Sequence, residues 1–137
     1  MIRTPFFEFG PKAYLYGEEM IKLAEYADEL AVKFDVDIII DPQTLDIPEM
    51  ARRLKHVRVF AQHMDPIPVG RGMGTVLPEA LKAWGAQGAL LNHVEKRLSL
   101  TDLEIAILKG EVAKLKESRT AATEKIDKAL DILKAVK

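Results

Sequence analysis

Lys12, His63, His93 and the carboxylates Asp41, Asp65 and Glu95 are residue types suited to moving protons. A histidine can give or take a proton near neutrality, a lysine ammonium offsets negative charge growing on an oxygen, and a carboxylate can accept a proton from carbon. What gives these residues meaning is their placement. Each group stands just beyond a short apolar run: Lys12 after Phe6-Phe7-Glu8-Phe9, and Asp41 after Asp37-Ile38-Ile39-Ile40. Gln62 ends the run Val57-Arg58-Val59-Phe60-Ala61-Gln62, with His63 and Asp65 beyond it, and Asn92 ends the run Gly88-Ala89-Leu90-Leu91-Asn92, with His93 and Glu95 beyond it. Four runs that all end in polar, chemistry-bearing residues imply four strands pointing the same way.

The segments between the runs read as helices. Glu18 to Phe34 carries Met20, Ile21, Leu23, Ala24, Ala27, Leu30, Ala31 and Phe34, an amphipathic helical spacing. Pro48–Lys55 and Leu77–Trp84 each open with a proline in the first turn. Strand–helix alternation predicts parallel strands with right-handed crossovers. The unbroken isoleucine run 38–40 fits a parallel strand covered on both faces. Such sheets carry function at the C-terminal ends of their strands, so the rim residues are expected to converge there.

The chain has 137 residues and no Cys, with Lys+Arg 20 against Asp+Glu 21 and a net charge of -1. That balance argues against nucleic acid as a partner. The absence of Cys excludes disulfides, thiolate metal sites and cysteine nucleophiles. No apolar run reaches the roughly 18 residues of a membrane span, and the start, Met1-Ile2-Arg3-Thr4-Pro5, has no secretory apolar stretch. The expected location is the cytoplasm. Near residue 100 the composition changes: all nine aromatics lie before Gly85, all seven prolines lie at or before Pro78, and beyond Leu100 the one glycine is Gly110. Ile105, Leu108, Val112, Leu115, Arg119, Ala122, Ile126, Ala129, Leu133 and Val136 alternate three and four apart, a heptad seam broken by Arg119 and widened by Leu130 and Ile132. The organisation expected is a (βα)4-like domain over residues 1–100 and a heptad-patterned helix or helical hairpin over 101–137.

Phe60-Ala61-Gln62-His63-Met64-Asp65-Pro66, Gly74-Thr75-Val76-Leu77-Pro78-Glu79-Ala80 and Leu90-Leu91-Asn92-His93-Val94-Glu95-Lys96-Arg97 are more specific. Together they resemble triosephosphate isomerase of the archaeal type, over roughly residues 5–107. The resemblance implies an α/β fold, the first four βα units of an eight-unit parallel barrel. A whole barrel needs ~250 residues, ~200 at the least, so this chain alone holds half of one. The resemblance further implies that Lys12 stabilises charge on the substrate oxygen, that His93 is the catalytic histidine, and that Glu95 orients the lysine. The family enzyme is itself the standard example of a neutral histidine electrophile working with a glutamate base. Gly10, Asp41, Gln62 and Asn92 are the matching candidates for contact with substrate.

The departures are as informative. Gly10 stands where the family has asparagine, Pro11 where it has an apolar residue, Val94 where a serine follows the histidine, and Met73 where a threonine supports a neighbouring subunit. The family's base glutamate belongs to a strand-six region outside this sequence, as do the phosphate-gripping loops. The function expected is ketose/aldose phosphate isomerisation through an enediolate, with the base supplied by an oligomer or partner; within the chain, Asp41 and then Glu8 are the candidates. The alternatives are a non-catalytic half-barrel assembly module with an oligomerising helix, and a regulator that binds phosphorylated sugars without turnover. The expected partner is a second copy or a complementary half-barrel chain, since open sheet edges and an uncovered inner face favour association. No cofactor is expected. No metal is expected either, because His63-x-Asp65 with His93 lacks the spacing of helical zinc sites. The glycine loop 70–74 matches no phosphate-loop spacing and reads as an interface loop, Trp84 as core or interface packing, and Pro66-Ile67-Pro68 as a rigid turn.

Overall fold

The computed structural model describes residues 2–135, with side chains up to residue 128. The chain divides into two compact units, Met1–Leu98 and Ser99–Lys137.

The first unit contains four strands and three helices. They follow the order β1 (Phe6–Phe9), α1 (Gly17–Phe34), β2 (Asp37–Ile40), α2 (Ile47–Arg53), β3 (Arg58–Ala61), α3 (Pro78–Ala83) and β4 (Gly88–Ala89), with a 3-10 turn at Thr44–Asp46. The strands form one sheet in chain order, β1-β2-β3-β4. Every pairing is parallel. This is a partial parallel barrel of about four βα units, as the strand–helix alternation implies.

Register sorts the side chains into two sets. Phe7, Phe9, Ile38, Ile40, Val59 and Ala61 alternate onto the helix-covered face. There Phe9, Ile38, Ile40, Val59 and Ala61 join Met20, Ile21, Ala24 and Ala31 of α1, Ile47 and Met50 of α2, and Leu81 of α3 in the core, whereas Phe7 is exposed. Glu8, Ile39 and Arg58 lie side by side on the opposite face, the inner face of the barrel. All three isoleucines of β2 are buried, the outer-facing and the inner-facing alike. Their unbroken run therefore reflects cover on both faces. On the inner face Phe60 pairs with Gly88. A Cβ at Gly88 would stand 2.6 Å from the Phe60 ring, so glycine leaves the ring its place.

Acids in the first turn of α1 (Glu18, Glu19) and Lys33 in its last turn complement the helix dipole. The helix stops at Asp35 in the left-handed conformation, φ 49°. One buttress inside the unit is Asp28 of α1. Its Oδ1 accepts hydrogen bonds from the backbone N–H of His56 and Val57, both at 2.7 Å, and of Lys55 at 3.1 Å. The carboxylate thus fills an anion nest in the loop that launches β3.

One expectation needs adjusting. β4 is two residues long rather than five, because Asn92, at φ 60°, already turns the chain. Of the two settings expected for Trp84, core or interface packing, its 45% exposure removes the core. The glycine loop 70–74 lies exposed in a turn closed by the Thr75 hydroxyl donating to the Gly72 carbonyl at 2.6 Å.

The second unit is one uninterrupted helix, α4 (Leu100–Ala135), and not a hairpin. The Ser99 hydroxyl accepts from the Asp102 N–H at 3.0 Å and caps its start. Seam residues Leu108, Val112, Leu115 and Ile126 are exposed. The seam positions Ala129, Leu133 and Val136, with the flanking Leu130 and Ile132, lie outside the described side chains. Among the described residues no helix is long and apolar enough to cross a membrane.

Asp28→Ala empties the nest and leaves three N–H groups without that partner. It is expected to lower unfolding free energy by about 1.5–3 kcal/mol in urea titration, whereas a change within about 0.5 kcal/mol would mark an ordinary surface position.

Candidate functional site

At the C-terminal ends of the four strands lies a cavity of about 560 Å³. Glu8 and Gly10 of the β1 end, Lys12 and Ala13 beyond it, Asp41 and Gln43 after β2, Gln62 and His63 after β3, and Leu90, His93, Glu95 and Lys96 after β4 line it. Of the candidates named from sequence, Lys12, His93, Glu95, Gly10, Asp41 and Gln62 come together here. Asn92 does not. Its side-chain oxygen accepts from the Leu98 N–H at 3.1 Å and its carbonyl from Arg97 at 3.2 Å, so it shapes the loop after β4.

Lys12 has a left-handed backbone, φ 53°, uncommon for a residue with a Cβ. Two amides hold it there. Gln43 Nε2 donates to the Lys12 carbonyl at 2.7 Å and Gln62 Nε2 donates to the same oxygen at 2.8 Å. Gln62 Nε2 also donates to the Asp41 carbonyl at 2.8 Å, tying the ends of β1, β2 and β3 together. Such over-determination is what a strained backbone needs in order to persist. The Lys12 ammonium then reaches Glu95 Oε1 at 3.1 Å. Both side chains are about half exposed, so the pair is a matter of aim more than of stability.

His93 accepts a hydrogen bond at Nδ1 from the Glu95 N–H, 3.2 Å. A neutral ring accepting at Nδ1 carries its proton on Nε2 and is a donor there. Glu95 Oε2 lies 3.9 Å from His93 Nδ1, so one carboxylate stands between the lysine and the histidine. His63 Nε2 contacts Asp65 Oδ1 at 2.9 Å. The other Asp65 oxygen accepts from the Val76 N–H at 2.8 Å. Burial alone would raise the Asp65 pKa, but the Val76 N–H and His63 together hold it below its ordinary value.

Asp41 is the outlier. It is fully buried, and among the described residues no donor reaches its carboxyl oxygens apart from the neighbouring Glu8 carboxyl, with which it can share a proton. Burial first, and the neighbouring Glu8 carboxyl second, push its pKa up to about 8. Among the described residues no three His, Cys, Asp or Glu side chains group so as to hold a metal ion.

Gln43 was not among the sequence candidates. The clue was available, because it follows Asp41-Pro42 at a strand end where a long amide can reach a neighbouring carbonyl. Lys96 was missed for a plainer reason: a lysine beside Arg97 in a charged loop reads as solvated.

The Asp41 pKa predicts a pH dependence of stability. Its folded pKa stands above its unfolded one, so its contribution is full below about pH 4 and is lost as pH rises through about 8. Asp41→Asn is expected to flatten the decline between those limits and to be more stable than the parent at pH 9, measured by urea unfolding at pH 5, 7 and 9. Parallel curves for the two proteins would contradict it.

The family model of triosephosphate isomerase matches residues 11–130. The match runs past residue 107, where the recognisable sequence motifs end. Among curated proteins, triosephosphate isomerase of Methanobacterium bryantii is 38% identical over 110 residues, 79% of this chain and 48% of that protein. The enzyme of Methanothermus fervidus is 39% identical over 93 residues, 68% of this chain and 41% of its own length. That of Saccharolobus solfataricus is 30% identical over 105 residues, 75% and 46%. The chain thus spans just under half the length of the curated relatives it matches. On this match, and on the four parallel βα units that bear it, the chain belongs to the triosephosphate isomerase family.

Proposed function

We propose that this chain is the oxyanion-stabilising half of a sugar-phosphate isomerase that interconverts a ketose phosphate and an aldose phosphate through an enediolate. The observation that carries the reading is the cavity in which the Lys12 ammonium, aimed by Glu95 at 3.1 Å, shares walls with a His93 ring whose Nδ1 is occupied. The lysine supplies positive charge where an oxyanion grows, and the Nε2–H of His93 supplies a directed donor. Lysine strain, the two amide clamps and the carboxylate between the lysine and the histidine hold these groups in place before substrate arrives, and preorganisation of this kind is what favours the transition state over the ground state.

The rest of the site comes from assembly. A second copy of this chain or a complementary half-barrel chain closes the sheet and brings groups that grip the substrate phosphate. Two surfaces support association. One is an apolar groove of about 460 Å³ along β1 and α1, bordered by Phe7, Leu23, Tyr26, Leu30 and Phe34. The other is the exposed seam of α4, whose heptad spacing suits a coiled coil with a second copy. The reading places the protein in the cytoplasm, where phosphorylated sugars are retained because their charge bars them from membranes. The same exposed apolar surfaces favour, as a second reading, an assembly module without chemistry.

Turnover of dihydroxyacetone phosphate by the purified chain, with molar mass recorded on the same sample, separates the two. Isomerisation is expected in the oligomer, with His93→Ala and Lys12→Ala each lowering kcat by about 10²-fold or more. An oligomer with no turnover would leave the assembly module. Leu108→Glu with Leu115→Glu places like charges on the seam and is expected to reduce the light-scattering mass toward that of a single chain; an unchanged oligomer would exclude the α4 seam as its interface.

A further inference from the structure

The loop between β1 and α1 carries the lysine, and its own packing does little to hold it. Leu15 packs on the core, while Tyr14 and Tyr16 are exposed. Inside the loop the Tyr14 N–H donates to the Pro11 carbonyl at 3.1 Å. Lys12 near its start and Gly17 at its end both have left-handed backbones, φ 53° and φ 62°. Glycine adopts that conformation freely. Lys12 has a Cβ, so its conformation needs support from outside the loop.

The support comes from one short stretch of the neighbouring loop, between β2 and α2. Gln43 Nε2 donates to the Lys12 carbonyl at 2.7 Å, and Asp46 Oδ2 accepts from the Gly17 N–H at 2.9 Å. The lysine loop is thus gripped at both ends. The stretch that grips it is itself firm. Asp41 and Pro42 before it and Ile47 after it are fully buried. The Gln43 carbonyl accepts from the Asp46 N–H at 2.9 Å, which closes the 3-10 turn Thr44–Asp46. Gln62 has a broader part, since its Nε2 donates to the Lys12 and Asp41 carbonyls and so ties strand ends together. Gln43 Nε2 meets the Lys12 carbonyl and, at 3.4 Å, Gln62 Oε1, so its contacts converge on the lysine.

We propose that Gln43 and Asp46 are positioning residues for the isomerisation, a two-point bracket that sets the Lys12 ammonium where negative charge grows. The proposal rests on the isomerase reading above. Both residues act through the backbone of the lysine loop and not on the reacting atoms. Stabilisation of an oxyanion depends on the distance and direction of the cation at the moment charge appears, so a fixed lysine serves the transition state more than it serves substrate binding. The lysine side chain is long and about half exposed; Glu95 aims its tip, and the bracket fixes the stem from which it starts.

The test is a double-mutant cycle on turnover of dihydroxyacetone phosphate by the full chain. Gln43→Met keeps the bulk and removes the donor. It is expected to lower kcat by about 10-fold or more with KM nearly unchanged. In a Lys12→Ala background it is expected to add little, because its influence passes through the lysine. A merely structural glutamine would show the same loss in both backgrounds. Asp46→Ala is expected to lower kcat likewise, and Asp46→Asn, which keeps an acceptor oxygen, to recover most of that loss. NMR reads the bracket without turnover. The intraresidue amide–Hα NOE of Lys12, strongest at positive φ, is expected to weaken in Gln43→Met. Parental kcat and an unmoved NOE in Gln43→Met, or equal losses in the two backgrounds, overturn the bracket and leave the isomerase reading standing. No turnover by the parent overturns the isomerase reading, and a positioning role in isomerisation falls with it.

Discussion

Ile38, Ile39 and Ile40 must be covered on both faces of one strand, and the first unit is organised around that demand. Outward, the cover is α1 and α2, whose Met20, Ala24, Ile47 and Met50 are fully buried against it. Inward, helices cannot serve, because the curvature of a parallel barrel turns that face toward its own axis. The cover there comes from neighbouring inward side chains, with Glu8 and Arg58 flanking Ile39 in register. A charged pair of neighbours on an inward face is costly unless water or a partner reaches it. In this chain the face stays open enough for Glu8 to be exposed, and the same openness lets the strand ends border a cavity.

Much of this architecture was legible in the residues. β1 and β2 have the bounds their apolar runs define, and α1 differs from its expected start by one residue, because period and strand propensity act locally. β4 was overread. Leu90 still donates to the Ala61 carbonyl, so the pairing fades gradually, but the turn at Asn92 depends on a side chain bonding Leu98 six residues on. No pattern of apolar residues encodes that. Trp84 had two settings open to it in the sequence, core or interface packing, and only its exposure in the fold removes the first.

The site divides the same way. Lys12, His93 and Glu95 were visible because they sit in recognisable motifs, and their common cavity follows once the strands are parallel. What sequence could not supply was the reason the lysine is held as it is. Two glutamines from different loops, separated by 19 positions, meet on one carbonyl. Each alone looks like a polar surface residue. Gly10 was legible as a departure, but only the fold shows what adjoins it: a Cβ there would stand 3.1 Å from Glu8 Oε1 and 3.6 Å from Asp41 Oδ2.

The sheet runs in chain order, each strand lying beside the one that precedes it along the polypeptide. The consequence concerns how the molecule comes into being. No strand waits for a segment still to be synthesised, and every loop to be closed spans a single helix, so closure entropy stays small at each step. Each parallel pairing is still non-local, because a whole crossover segment separates its strands, and pairing of that kind forms slowly. Pairing can nonetheless advance strand by strand from the N-terminus during synthesis, because in this sheet every strand after the first finds its earlier neighbour already made.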